Sequence, residues 1–115
     1  MDNQQEYVSQ TSIGLPLRWM APESVADSKF STASDVWSFG ILMWEMFNPL
    51  AKKPFDSYSN MDLMRKIPQG LVPDIPEVAP SNIVRLMQEC WRLEPQKRPS
   101  FLLLSTLLFK YHIQM

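Results

Sequence analysis

The chain has 115 residues, enough for one domain or part of one, and a single core is expected. Its 11 basic and 12 acidic residues are interspersed and leave a formal net charge of -1, which excludes the basic footprint of a nucleic-acid or anionic-membrane binder. Cys90 is the one cysteine, so no internal disulfide forms, and the longest apolar runs, about seven to nine residues, fall short of the ~20 that a membrane span needs.

The first 14 residues are polar, lack periodicity and carry an acidic start, unlike a signal or transit peptide, so a cytoplasmic polypeptide is expected. Tyr7 is expected to stand exposed in this arm. Leu15 to Met20 then reads as extended, because Pro16 fixes its own φ and restrains Leu15. Ala21 to Ala26 makes one or two helical turns with Pro22 at the first position, where a missing amide costs nothing, and Asp27 to Ser31 is a turn.

Thr32 to Phe47, TASDVWSFGILMWEMF, is the stretch on which the rest depends, since only Asp35 and Glu45 in it carry a charge. A helix that apolar must be covered on most sides. Thr32 with Asp35 fits a capping box, and Asn48-Pro49 stops the helix. Trp37, Phe39 and Trp44 read as core.

Beyond it, Ser59 with Asp62 is a second capping-box pattern that opens a short helix through Ile67, with Met61, Met64 and Ile67 on its inner face, and Pro68 ends it. Leu71 to Pro80 has a proline every three or four residues and should run extended with few ladder hydrogen bonds. Asn82 to Leu93 is a third helix, with Ile83, Leu86 or Met87, Cys90 and Leu93 on one face and Pro95 barring its continuation. Cys90 in this run reads as a buried, inert thiol. Ser100 caps a last helix from Phe101 to about Tyr111, which has almost no polar face. The fold class expected is mainly α: about five helices around a buried central helix, with no substantial sheet.

Four motifs in this order carry a family resemblance: LPLRWMAPES from Leu15, STASDVWSFGILMWEMF from Ser31, Gln88-Glu89-Cys90-Trp91, and Pro95-Gln96-Lys97-Arg98-Pro99-Ser100-Phe101. Together they resemble the C-terminal half of a protein tyrosine kinase domain, from the activation loop to the last helix, over about residues 6 to 109. The resemblance implies a partial kinase-like C-lobe over 15–111, an activation-loop-like arm over 1–14 and a tail over 112–115. It implies that Leu15, Pro16, Leu17, Arg18 and Trp19 cradle a peptide substrate beside its phosphoacceptor. It also implies that Tyr7 is a phosphorylation site, that Glu23 and Arg98 form a structural ion pair, and that Asp35 anchors the backbone of a catalytic loop. Asp35 has a plainer explanation as well, since the capping box with Thr32 already accounts for an acid at that position.

Phosphoryl transfer needs groups that hold the nucleotide, bind magnesium and orient the hydroxyl. The chain has three glycines, Gly14, Gly40 and Gly70, and no glycine-rich loop. Its one histidine, His112, is far from any His-Arg-Asp context, and Ser38-Phe39-Gly40 has serine where an Asp-Phe-Gly metal ligand would stand. No catalytic, cofactor-binding or metal-binding residue is expected in this chain, and no catalysis by it alone. ATP and magnesium belong to the parent domain that the resemblance implies. The partners expected are a tyrosine-containing protein or peptide substrate and the N-terminal part of a kinase domain, without nucleic acid or membrane insertion. The other reading is a non-catalytic helical module that binds a protein through the same face.

Overall fold

A computed structural model describes residues 15–48 and 52–111. Tyr7, the 1–14 arm and the 112–115 tail lie outside the described residues. The described chain is mainly helical: α1 (Pro22–Asp27), α2 (Thr32–Met46), α3 (Asn60–Lys66), α4 (Ser81–Cys90) and α5 (Phe101–Lys110), with short 3-10 turns at Leu17–Trp19, Ile67–Gln69 and Pro95–Lys97 and no strand among the described residues.

Helix α2 forms where expected, but its cap is one residue earlier. Ser31 Oγ accepts from the Ser34 amide at 3.3 Å, and the Ser31 amide donates to Ser34 Oγ at 2.7 Å. This reciprocal pair is the capping box, and Thr32, the expected cap, is the first helical residue. The helix buries Val36, Trp37, Gly40, Ile41, Met43 and Trp44, residues that point in several directions around its axis. Leu42 and Met46, four residues apart, are nevertheless 48% and 47% exposed.

The main core lies between α2 and α4, with Ala21, Trp91 and Leu104 completing it. α4 contributes Ile83, Leu86, Met87 and Cys90, the three-and-four spacing of the sequence. Gly40 is the point of closest approach. A Cβ there would stand 2.6 Å from Trp91 Nε1 and 2.8 Å from Cys90 Cβ, so a side chain of any kind would push the two elements apart. α4 ends at Cys90, short of the expected Leu93, and Leu93 is exposed. Beyond its end, the carbonyls of Arg92 and Leu93 accept from the Arg98 guanidinium at 2.8 and 3.2 Å.

A second, smaller core of Phe55, Leu63 and Ile67 receives Leu17, Val25, Tyr58 and Leu71. Here the inner face of α3 differs from expectation. Leu63 and Ile67 are fully buried at a spacing of four, whereas Met61 and Met64 are 82% and 56% exposed. The cap at Ser59 is as expected, accepting from the Asp62 amide at 3.1 Å, but Pro68 does not end the turn: it sits inside the 3-10 continuation Ile67–Gln69, which closes at Gly70 with φ 109°. The prolines of 71–80 hold that segment without ladder bonds, and Trp44 ties it to α2 by donating from Nε1 to the Asp74 carbonyl at 2.6 Å.

Candidate functional site

The segment Leu15 to Trp19 is not extended. Pro16 has φ -79° and ψ 65°, and the Leu17 amide donates to the Leu15 carbonyl at 2.8 Å, which makes a tight inverse γ-turn that runs into the 3-10 turn Leu17–Trp19. Proline restricts φ alone, so a ψ near 65° was open to it and the turn closed. The proline ring is exposed at the apex, while Leu15, Leu17, Arg18 and Trp19 are half-buried around it.

Three side chains fasten this segment to the rest of the chain. Arg18 reaches across to the loop before α3, where its guanidinium donates to the carbonyls of Pro54 at 2.9 Å, Phe55 at 2.6 Å and Tyr58 at 2.9 Å, with a longer bond of 3.4 Å to Asn60 Oδ1. Trp19 donates from Nε1 to Glu45 Oε1 at 3.0 Å, and its own carbonyl accepts from Ser38 Oγ at 2.7 Å. Ser38 and Glu45 both belong to α2, so the segment is latched to the central helix at one end and to the 54–60 loop at the other. An open groove of about 580 Å³ runs beside it, lined by Leu15, Leu17, Arg18, Trp19, Lys53, Ser59, Asn60 and Met61.

Phe55 adopts φ 57°, a left-handed conformation uncommon for a bulky residue. Its ring is buried with Leu63 and Ile67, and its carbonyl takes both the Arg18 bond and the Tyr58 amide at 2.9 Å. Burial and two hydrogen bonds offset a conformational cost of about 1–3 kcal/mol.

The structure brings Glu23 and Arg98 together. Arg98 Nη1 and Nη2 meet the two carboxylate oxygens at 2.8 and 2.9 Å in a bidentate pair, with the arginine side chain fully buried and Glu23 16% exposed. The remaining donors go to the carbonyls of Ala33 at 3.0 Å, Arg92 at 2.8 Å and Leu93 at 3.2 Å, and the guanidinium lies 5.2 Å over the Trp37 ring. All five N–H groups of the guanidinium are used, which is what a buried cation requires. The pair thereby joins α1, α2 and the segment after α4. Asp35 stands in the first turn of α2, half-buried.

Ser38 and Glu45 were missed as members of this site. Ser38, which stands where an Asp-Phe-Gly metal ligand would, instead donates its hydroxyl to the Trp19 carbonyl. Glu45 carried a readable signal: a carboxylate in the last turns of an otherwise apolar helix needs a donor, and Trp19 supplies it. Cys90 is buried, its thiol pushed up to about 12 by desolvation, with the Glu89 carboxylate adding to the rise and Arg98 opposing it. Such a thiol is not a nucleophile at neutral pH.

Among the described residues no three His, Cys, Asp or Glu side chains are grouped to hold a metal ion, and no helix is long and apolar enough to cross a membrane.

Comparison with known proteins agrees with the motif order. The model of the family described as protein tyrosine and serine/threonine kinase matches residues 1–108. Platelet-derived growth factor receptor alpha of Takifugu rubripes is 47% identical over 100 residues, covering 86% of this chain and 9% of the receptor. The cytoplasmic tyrosine-protein kinase BMX of Mus musculus is 44% identical over 96 residues, 84% of this chain and 15% of that kinase. A putative molluscan insulin-related peptide(s) receptor of Lymnaea stagnalis is 46% identical over 87 residues, 76% of this chain and 5% of the receptor. The chain thus spans 5 to 15% of the length of these relatives. Its matched span and its tyrosine kinase relatives show that the chain belongs to the protein tyrosine and serine/threonine kinase family.

Proposed function

We propose that the chain is the substrate-docking part of a tyrosine kinase C-lobe, a fragment that presents the peptide platform and lacks the nucleotide and catalytic machinery. The parent reaction would be ATP-dependent phosphorylation of a protein tyrosine. In this reading residues 15–111 are the partial lobe and 1–14 the activation-loop arm with Tyr7 as its phosphorylation site. The observation that carries it is the double latch on Leu15–Trp19: Arg18 bonded to three carbonyls of the 54–58 loop and Trp19 bonded to Ser38 and Glu45 of α2, beside an open groove. A platform that must receive peptides of varied sequence needs a fixed backbone more than a deep pocket.

Pro16 offers a flat apolar face to a phenol, and Leu15 and Leu17 flank it. Glu23 and Arg98 act behind the platform, setting where α1 sits and hence where the chain leaves Met20. In this reading Asp35, at the start of α2, anchors the backbone of a catalytic loop supplied by the N-terminal part of a kinase domain. Kinases use ATP and magnesium; in this reading both belong to the parent domain, and no step of the transfer is assigned to this chain. A parent that is a receptor kinase would place this region on the cytoplasmic side of a membrane.

The experiment is equilibrium dialysis of the purified chain with ATP and magnesium, paired with a phosphotransfer assay on a tyrosine peptide. Neither saturable nucleotide binding nor phosphopeptide is expected. Either one would overturn the reading. A non-catalytic binding module gains over a fragment if the coding sequence upstream of Met1 does not continue in frame into Asp-Phe-Gly and His-Arg-Asp motifs.

A further inference from the structure

Helix α5 carries more apolar surface than its own packing uses. Leu104 is buried, and Leu107 and Leu108 pack against the main core, yet Leu102 is 78% exposed and Phe109 84%, with Phe101 at 40% and Leu103 at 47%. Leu102, Thr106 and Phe109 recur at steps of four and three and so form one stripe along the helix. The stripe carries no charge, because the one charged residue of α5, Lys110, is its last. The Thr106 hydroxyl is already satisfied: it donates to the Leu102 carbonyl at 2.9 Å, so apolar surface can cover it without stranding that donor. Beside the stripe lies a groove of about 450 Å³ lined by Phe39, Phe101, Leu104, Ser105, Leu108 and Phe109, with the Phe101 ring edge-on to Phe39 at 5.9 Å. Phe109 therefore stands as a knob on the rim of its own hole.

We propose that this face docks a second copy of the chain, α5 against α5 in antiparallel fashion, about a two-fold axis near Ser105 and Thr106. A two-fold interface needs a patch complementary to itself. The midpoint between Leu102 and Phe109 falls between Ser105 and Thr106, so antiparallel pairing sets Leu102 of each copy opposite Phe109 of the other and brings each Phe109 ring to the other copy's groove. Ser105 and Thr106 at the crossing are small enough for close approach of the helices. The two Lys110 side chains fall at opposite ends, so no like charges meet. A fully buried aromatic side chain covers roughly 150–250 Å². Leu102, Phe109 and the groove-lining Phe101 thus supply apolar area on the order of 400 Å² per copy, against about 800 Å² per partner in a standard stable interface, with groove walls and rim to add. That size fits a reversible dimer and not an obligate one.

Sedimentation velocity of the full chain over a wide concentration range tests this. A monomer–dimer equilibrium is expected, weakened about tenfold or more by Phe109→Glu and by Leu102→Glu, and unchanged by Met64→Glu, which alters an exposed methionine on α3. Far-UV circular dichroism checks that each variant keeps its helices. Under mild oxidation Thr106→Cys should yield a disulfide-linked dimer, since the two copies of position 106 meet near the axis. Leu102→Cys should not, because antiparallel helices hold its two copies roughly 10 Å apart along the axes. Cys90 is buried and does not interfere. A chain that stays monomeric, whatever other polypeptide then covers α5, would overturn the proposal, as would a dimer indifferent to Phe109→Glu or cross-linking at position 102 in preference to 106.

Discussion

Arg98 is the side chain on which most of the described structure converges. Its five donors are satisfied by one carboxylate and three carbonyls from three separate segments, so its removal leaves Glu23 with an uncompensated, largely buried charge and three carbonyls without their donor. Arg98→Met should therefore cost about 3–5 kcal/mol in a urea melt, whereas Arg65→Ala, which breaks an exposed pair with Asp62, should change stability by less than about 1 kcal/mol. Equal effects of the two substitutions would contradict this assignment. Cys90 gives a prediction in pH. Its thiol is held neutral in the fold, up to about 12, above its ordinary 9.0, so the unfolded chain releases that proton first. The stability it contributes is complete below pH 9 and is lost as pH rises from there toward 12. Thiol labelling at pH 8 should be slow in the folded chain and fast in denaturant; fast labelling in both would show that the sulfur is not buried. At this scale the sequence revealed the ion pair through the family motifs at Glu23 and Arg98. It did not reveal the Arg18 latch, because the acceptors are backbone carbonyls, and a carbonyl leaves no mark on residue identity.

Among the elements, the cap of α2 lies one residue before the Thr32 that the sequence suggested. Ser31→Ala removes the oxygen that holds the Ser34 amide and should cost about 1 kcal/mol, while Thr32→Ala, at the first helical position, should cost little. The reverse order would return the cap to Thr32. The inner face of α3 was misread for a related reason. Met61, Met64 and Ile67 are spaced at three, as are Asn60 and Leu63, and a helix of seven residues is too short for periodicity to choose between faces. Leu63→Ala should cost about 2–5 kcal/mol and Met61→Ala almost nothing. The longer α4 was legible throughout its buried face, because Ile83, Leu86, Met87 and Cys90 repeat over its full length. Its early end was not legible, since the apolar spacing continues to Leu93 while the helix stops at Cys90 and Leu93 is exposed.

For the molecule as a whole, the central helix α2 states what the chain can do alone. It is buried on most sides, but Leu42 and Met46 are about half exposed on the side that neither α4 nor α5 covers. The sequence predicted a helix that needs burial nearly all round, and the described residues provide only part of that cover. A substitution there should behave as a surface change in this chain: Leu42→Gln should alter stability by no more than about 0.5 kcal/mol, against about 2–5 kcal/mol for Ile41→Ala next to it. In a chain extended by the N-terminal part of a kinase domain, Leu42→Gln should instead become strongly destabilising, and an unchanged small effect there would mean that nothing covers this face. The central claim is that the chain holds a formed peptide platform without a nucleotide site. Its most direct test is a titration of the isotopically labelled chain, followed by amide resonances, first with a tyrosine peptide and then with ATP and magnesium. The account predicts peptide-dependent shifts at Leu15, Leu17, Arg18, Trp19 and Asn60 and none on adding the nucleotide; saturable shifts with ATP and magnesium, or peptide shifts confined to other residues, would contradict it.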